Sequence, residues 1–319
     1  MKKVLFFLAS ILLLASCDNY PIYYPDGGGD NDDNTSDVRT IDYTLTEDDY
    51  RAIVANTKND ALALAECPID PETDSIDYTL YEAFKSIADT FAFNHKAPAE
   101  IYVPKFLAEK FPQLSSGSKI NLTYNVLGRD SIIVETVTFS RYNVWVSAIY
   151  YRQAIAGDGD QGKLTIQDIL LTDPLTYVWY YSAAYGMCAS AFKHVNSYDS
   201  ESWLVTPQID LSRAKTPQFG FDHAFNKAPN FTDECAVLVS TNYAGDVTTC
   251  DWTQLEWNLN KDGTQNVPAG TSWTVQHTGY FDFTPFVGKK INIAFRFTTS
   301  NGISGTWELK NLLLSEPEN

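Results

Sequence analysis

The stretch FTPFVGKKINIAFRFTTSNGISGTWELKNLLL, residues 283–314, decides the fold. Ile291, Ile293, Phe295 and Phe297 alternate with Asn292, Ala294, Arg296 and Thr298, the two-residue period of a strand with one buried face. Residues 300–305 hold two glycines and an asparagine and read as a turn. In the next run Trp307 and Leu309 point one way and Glu308 and Lys310 the other, whereas Leu312 and Leu314 fall in step with Glu308. A β-bulge near Lys310 and Asn311 restores the buried face. The chain therefore ends in a sandwich-type sheet.

Working upstream, turns recur between strand-like runs at the spacing of an all-β sandwich. From Lys163 the expected strands are 164–171, 176–181, 187–194, 202–211, 218–226, 235–241, 251–257, 272–283, 290–298 and 306–314. Trp203, Val205, Pro207, Ile209 and Leu211 share one face of the fourth, and Phe219, Phe221, His223 and Phe225 one face of the fifth. Residues 157–162, GDGDQG, mark a boundary; with Gly162 at position 5 and Lys163 at position 6 they fail the calcium-loop pattern.

Residues 41–156 read as a small α+β domain. Thr46 with Asp49, and Thr79 with Glu82, look like capping boxes, and Pro104 suits a first helical position. The string IDYTL at 41–45 recurs at 76–80 and reads as two similar helix starts. Strands are expected at 119–126 and 131–139, and a third at 143–151.

The first seventeen residues are a leader. Lys2 and Lys3 precede an apolar run, 4–14, too short to span a bilayer. It ends Leu14-Ala15-Ser16-Cys17, which resembles a bacterial lipobox, so Cys17 is the expected lipidation site. An ordinary signal peptide with an incidental cysteine is the other reading. Residues 18–40 carry DGGGDNDD and almost no aliphatic side chain, the composition of a disordered tether. Its acidity resembles the surface-export signals of lipoproteins in the Bacteroidetes, which implies an outer-membrane protein facing outward; in other Gram-negative bacteria an aspartate directly after the cysteine hints at inner-membrane retention.

A net charge of −17 over 319 residues argues against nucleic-acid partners. It suits neutral ligands, cations or basic partners. Cys67, Cys188, Cys235 and Cys250 allow three disulfide pairings. Cys235 with Cys250 is disfavoured, because a hairpin would separate them by roughly 20 Å along the strands at ~3.3 Å per residue. No spacing suggests zinc.

The series SWLVTPQIDL (202–211), FGFDHAFN (219–226), AVLVSTNY (236–243), DWTQL (251–255), FTPFVGKKINIAFRF (283–297) and TWELKNLLL (306–314) resembles a choice-of-anchor J, or cleaved-adhesin-like, domain. The lead-in 163–192 is similar to that family's. The resemblance implies a jelly-roll sandwich over 163–316 on a surface protein, and a loose association with adhesion or carbohydrate binding. Related adhesin domains often hold calcium through acidic residues on the last strands, where this chain has Lys310 and Asn311. The fold class is thus mainly β: a C-terminal jelly-roll β-sandwich preceded by a small α+β N-terminal domain.

No G-x-S-x-G, H-E-x-x-H or nucleophile–base pair is present, so no catalytic residue, cofactor or metal is expected. Asp222-His223 with Glu308 invites a catalytic reading, but His223 shares the Phe219, Phe221 and Phe225 face and reads as a core histidine. Sugars stack their C–H faces on Trp and Tyr. Trp273 follows a polar loop, Tyr180 and Tyr185 flank another, and Trp252 turns to the face opposite Trp257. Trp273, Trp252 and Tyr180 are therefore the expected stacking residues. The expected partner is a glycan, with a surface protein as alternative and a hydrolase using a pair of carboxylates as the less favoured third reading, and membrane contact comes only through the lipid on Cys17.

Overall fold

The structure, a computed structural model, describes residues 37–69, 74–128, 131–153, 161–300 and 302–317. The expected leader with Cys17, nearly all of the expected tether and the first four residues of GDGDQG lie outside the described residues.

The N-terminal elements are β1 (Thr40–Thr44), α1 (Glu47–Ala55), α2 (Thr57–Ala65), α3 (Thr79–Lys85), α4 (Ile87–Thr90), α5 (Ala99–Lys110), β2 (Lys119–Leu127), β3 (Ile132–Arg141) and β4 (Trp145–Ser147). They build a sheet in the order β1-β2-β3-β4, with β1 parallel to β2 and the other pairs antiparallel. Ile120, Leu122 and Tyr124 alternate toward the helices and join a core with Tyr50, Ile53, Phe84, Tyr102, Phe139 and Trp145. The opposite face carries Asp42, Lys119, Asn121, Thr136 and Thr138.

Three local readings change. The first IDYTL is a strand, because its Ile41 and Tyr43 alternate with polar residues and β2 supplies a ladder. The helix starts behind it, at a capping box in which the Thr46 hydroxyl accepts from Asp49 N–H at 3.3 Å and Asp49 Oδ2 from Thr46 N–H at 2.9 Å. Thr79 opens α3 without capping it; its N–H donates to Asp77 Oδ1 at 2.9 Å instead. Pro104 lies inside α5, whose N-cap is Pro98, so it interrupts the ladder in mid-helix.

The sandwich elements follow: β5 (Ile149–Gln153), β6 (Thr165–Leu171), β7 (Trp179–Ser182), β8 (Gly186–Ser190), β9 (Phe192–Lys193), β10 (Asn196–Ser197), β11 (Ser200–Val205), β12 (Ile209–Asp210), β13 (Gln218–Asn226), α6 (Phe231–Glu234), β14 (Cys235–Ser240), β15 (Thr253–Gln254), β16 (Thr271–His277), β17 (Phe281–Asp282), a 3₁₀ turn (Thr284–Phe286), β18 (Lys290–Thr299) and β19 (Thr306–Ser315). One sheet runs β15-β14-β18-β11-β6, with β12 also on β18. The other runs β16-β13-β19-β8-β7, with β17 on β13 and β5 on β19. The stretch 143–151 is thus shared: β4 joins the N-terminal sheet, and β5 pairs with β19 in the sandwich.

Between the sheets lie Phe219, Phe221, Phe225, Val237, Ile293, Phe295, Phe297, Trp307, Leu309, Leu312 and Leu314. The bulge sits in β19, where Lys310 pairs with Asp222 but Leu313 with Gly220, and Asn311 takes a φ of 51°. It lets Trp307, Leu309, Leu312 and Leu314 all face inward. All four described cysteines are free thiols; Cys67, Cys188 and Cys235 are buried.

Candidate functional site

The two sheets differ on their outer faces. On the six-strand sheet, Trp203, Val205, Ala236, Leu238 and Ala294 form a second apolar layer, covered by Val247, Tyr243 and Trp252 from the loop after β14. The Trp252 ring packs 5.3 Å from Trp203 and 5.7 Å from Tyr243, and its N–H donates to Val247 O at 3.0 Å. Gln167 on β6 ties the loop down: its amide donates to Tyr243 Oη at 2.7 Å and its carbonyl accepts from Val247 N–H at 2.9 Å. Trp252 is therefore a half-buried part of a roof and is not brought near Trp273 or Tyr180. Trp257 is buried in the main core.

The seven-strand sheet brings the other two together on one face. Paired residues of neighbouring strands point the same way. Tyr180 on β7 pairs with Cys188 on β8, Cys188 with Glu308 on β19, and Glu308 with Ala224 on β13. On β16, Ser272 pairs with Phe225 and Gln276 with His223, so Trp273, Thr274 and Val275 lie opposite the single Ala224. Thr271 and His277 pair with Asn226 and Asp222 of the outer face, which puts Trp273 and Val275 on that face too. The outcome is one transverse row: Tyr180, Cys188, Glu308, Ala224, Trp273. With strands ~4.8 Å apart, its ends stand roughly 19 Å from each other.

Both ends are open. Trp273 is 45% exposed and Tyr180 39%, and Tyr180 meets the exposed Tyr177 edge-on at 5.8 Å. The middle is closed by small side chains, Ala224 and Cys188, which leave Glu308 between them only 7% exposed. Among the described residues Glu308 has no hydrogen-bond donor to its carboxylate, although Asn311 serves the neighbouring Asp222 at 2.8 Å. Burial raises the Glu308 carboxyl above its ordinary value, and the Lys310 ammonium offsets part of that rise. Burial, with Glu308 beside it, pushes the Cys188 thiol up to about 12, so it stays neutral at physiological pH. Burial also raises Tyr180 to about 12, keeping its hydroxyl a donor.

Beside this row His277 extends the aromatic surface. Its Nδ1 accepts from Gly279 N–H at 3.0 Å and its ring meets the exposed Tyr280 at 4.9 Å. The ring lies over Gly220, where a Cβ would stand 2.8 Å from it. The catalytic pairing of His223 with Glu308 is ruled out by register. His223 pairs with Leu309 on the inner face, fully buried and stacked on Trp257, whereas Glu308 faces outward. Burial lowers His223 to about 3.

The chain is similar to the K3 cleaved adhesin domain of Lys-gingipain from Porphyromonas gingivalis at 14% identity and a TM-score of 0.33, covering 53% of this chain and 98% of that one. Its K1 domain matches at 13% identity and 0.34, with the same coverage. A carbohydrate-binding module of Cellvibrio mixtus lichenase 5A, solved with cellotriose, matches at 10% identity and 0.25, over 53% of this chain and 99% of that one. No protein-family model matches the chain, and no curated protein does. The choice-of-anchor J resemblance rests on the motifs quoted above.

Proposed function

We propose that the protein is a non-catalytic glycan-binding module, held on the outside of an outer membrane by a lipid on Cys17. The row on the open sheet carries this reading. Two exposed rings, Trp273 and Tyr180, end it, and a buried carboxylate with no protein donor among the described residues stands between them. Aromatic faces accept the C–H sides of sugar rings, and Glu308 takes a sugar hydroxyl as the donor it lacks. A glycan array with the purified protein tests this. Binding to one glycan class, lost in both Trp273→Ala and Tyr180→Ala, is the expected result; binding that survives both substitutions removes the row as the site.

One observation favours a protein partner. Val195 is 81% exposed at the tip of the β9–β10 hairpin, near the exposed Phe192. Val195→Ser with Phe192→Ser abolishes capture of a cell-envelope protein on this reading and leaves glycan binding intact.

The lipid anchor is supported by residues 1–17 alone. Radiolabelled palmitate incorporation in a Gram-negative host, absent in Cys17→Ala, is the expected outcome.

A further inference from the structure

A second recess lies elsewhere, where the polar face of the N-terminal sheet meets residues 215–216 and 316–317. It has a volume of about 540 Å³, within the range of ligand pockets. Its floor is the outward row of β1, β2 and β3: Asp42, Asn121 and Thr138. Thr138 Oγ1 donates to Asn121 Oδ1 at 2.8 Å, and Asn121 Nδ2 donates to Asp42 Oδ1 at 2.9 Å. This relay fixes the amide and uses an oxygen of Asp42. The wall is Glu316, whose two oxygens are taken by Tyr150 Oη at 2.6 Å, Lys215 N–H at 2.7 Å, Thr216 N–H at 2.8 Å and Thr216 Oγ1 at 2.8 Å.

Both oxygens of Glu316 and one of Asp42 are therefore engaged by the protein, while two strong donors carry no ion pair. Lys119 and Lys215 both line it, and among the described residues neither ammonium lies within ion-pair distance of a carboxylate. Lys215 instead rests 4.5 Å above the Tyr142 ring, which holds it at the mouth. Two ammonium groups without an ion pair thus stand in one recess, where the Asp42 and Glu316 carboxylates balance them in net charge. The remaining lining is hydroxylic: Thr40, Thr136, Ser140.

We propose that this recess is a binding site for an acidic saccharide, its carboxylate taken by Lys119 and Lys215 and its hydroxyls by the threonine and serine wall. A carboxylate satisfies both ammonium groups, and a polyhydroxylated ring matches the walls better than an apolar or purely anionic ligand does. The site is independent of the Trp273 row.

Isothermal titration calorimetry of the purified protein with trigalacturonate, neutral galactotriose and tetra-aspartate tests it. Trigalacturonate binds, with an affinity that falls at higher salt; the other two bind at least tenfold more weakly. Lys215→Met, at an exposed position, and Lys119→Met each weaken trigalacturonate at least tenfold, while Trp273→Ala leaves it unchanged. The proposal is overturned if trigalacturonate does not bind, if it binds Lys215→Met and the wild type alike, or if galactotriose or tetra-aspartate binds as tightly. Thermal melting of each variant establishes that it is folded, and loss of trigalacturonate binding in Trp273→Ala alone would assign that sugar to the open sheet instead.

Discussion

Trp252 and Trp273 stand on the outer faces of the two sheets of one sandwich. Trp252 is covered on both sides, by Trp203 below and by its own loop, with its N–H satisfied by Val247. Trp273 sits on edge strand β16, where the outward residues are exposed from end to end. The difference arises because residues 241–252 fold back over one sheet, whereas no comparable segment among the described residues roofs the other. An aromatic residue next to a polar loop is thus ambiguous until it is known where the loop goes.

The effect expected to be largest lies between the sheets and sets the scale for both faces. His223 is held neutral, with its pKa lowered by burial from the ordinary 6.5 to about 3. A base whose pKa is lowered contributes stability that is fully present above pH 6.5 and is lost as pH falls toward 3, on the order of 5 kcal/mol in all. Urea unfolding at pH 7, 5 and 3.5 should follow that loss, and His223→Leu should flatten it. Next comes the roof. Trp252→Ala should destabilise by about 2–3 kcal/mol, since it opens a half-filled layer, and should leave glycan affinity unchanged. Trp273→Ala should shift stability by less than about 0.5 kcal/mol. Urea midpoints in the reverse order would break the contrast between the two faces.

Binding gives the third test. Removing either end of the row, Trp273→Ala or Tyr180→Ala, should weaken the bound glycan about tenfold, or about 1.4 kcal/mol. The smallest effect is that of Glu308. Its carboxyl is raised, so its neutral form suits the folded state; its contribution to stability is fullest at low pH and falls as pH rises through the raised value. Glycan affinity should run the opposite way, weakening several-fold as acid neutralises the carboxylate. Glu308→Gln should make affinity independent of pH, and a titration of binding between pH 7 and 4 reads this directly.

Much of the sandwich was legible in the sequence because most of its strands alternate, although the expected 202–211 breaks after Val205, with Trp203 and Val205 in the outer layer and Ile209 and Leu211 in the main core, and 272–283 breaks into β16 and β17. The phase slip after Lys310 even placed the bulge, since a buried Leu312 and Leu314 required it. The N-terminal half was harder to read. IDYTL carries a strand alternation in its first copy, whereas the last two residues of its second copy, Thr79 and Leu80, open a helix; a strand of five residues needed its partner, β2, to declare itself. The site was legible in part. Trp273 and Tyr180 stand out as aromatics beside polar loops, but their alignment depends on the registers of four strand pairs that no local pattern contains. Glu308 was visible only as the residue facing away from Trp307 and Leu309. The hydroxylic recess was invisible, because it joins β2 and β3 to residues 75 or more positions away (Ser140 to Lys215).

The position of β19 has a consequence for the making of the protein. It lies between β13 and β8, and β5 pairs with it as well, so without it the seven-strand sheet falls into three unconnected pieces. It is also the last strand to be synthesised among the described elements. The face that holds Glu308 therefore does not exist on the nascent chain until residue 315 has left the ribosome. Until then β13 and β8 expose edges that invite pairing with other chains. A truncation that removes only the final strand should give aggregated protein, not a smaller working one.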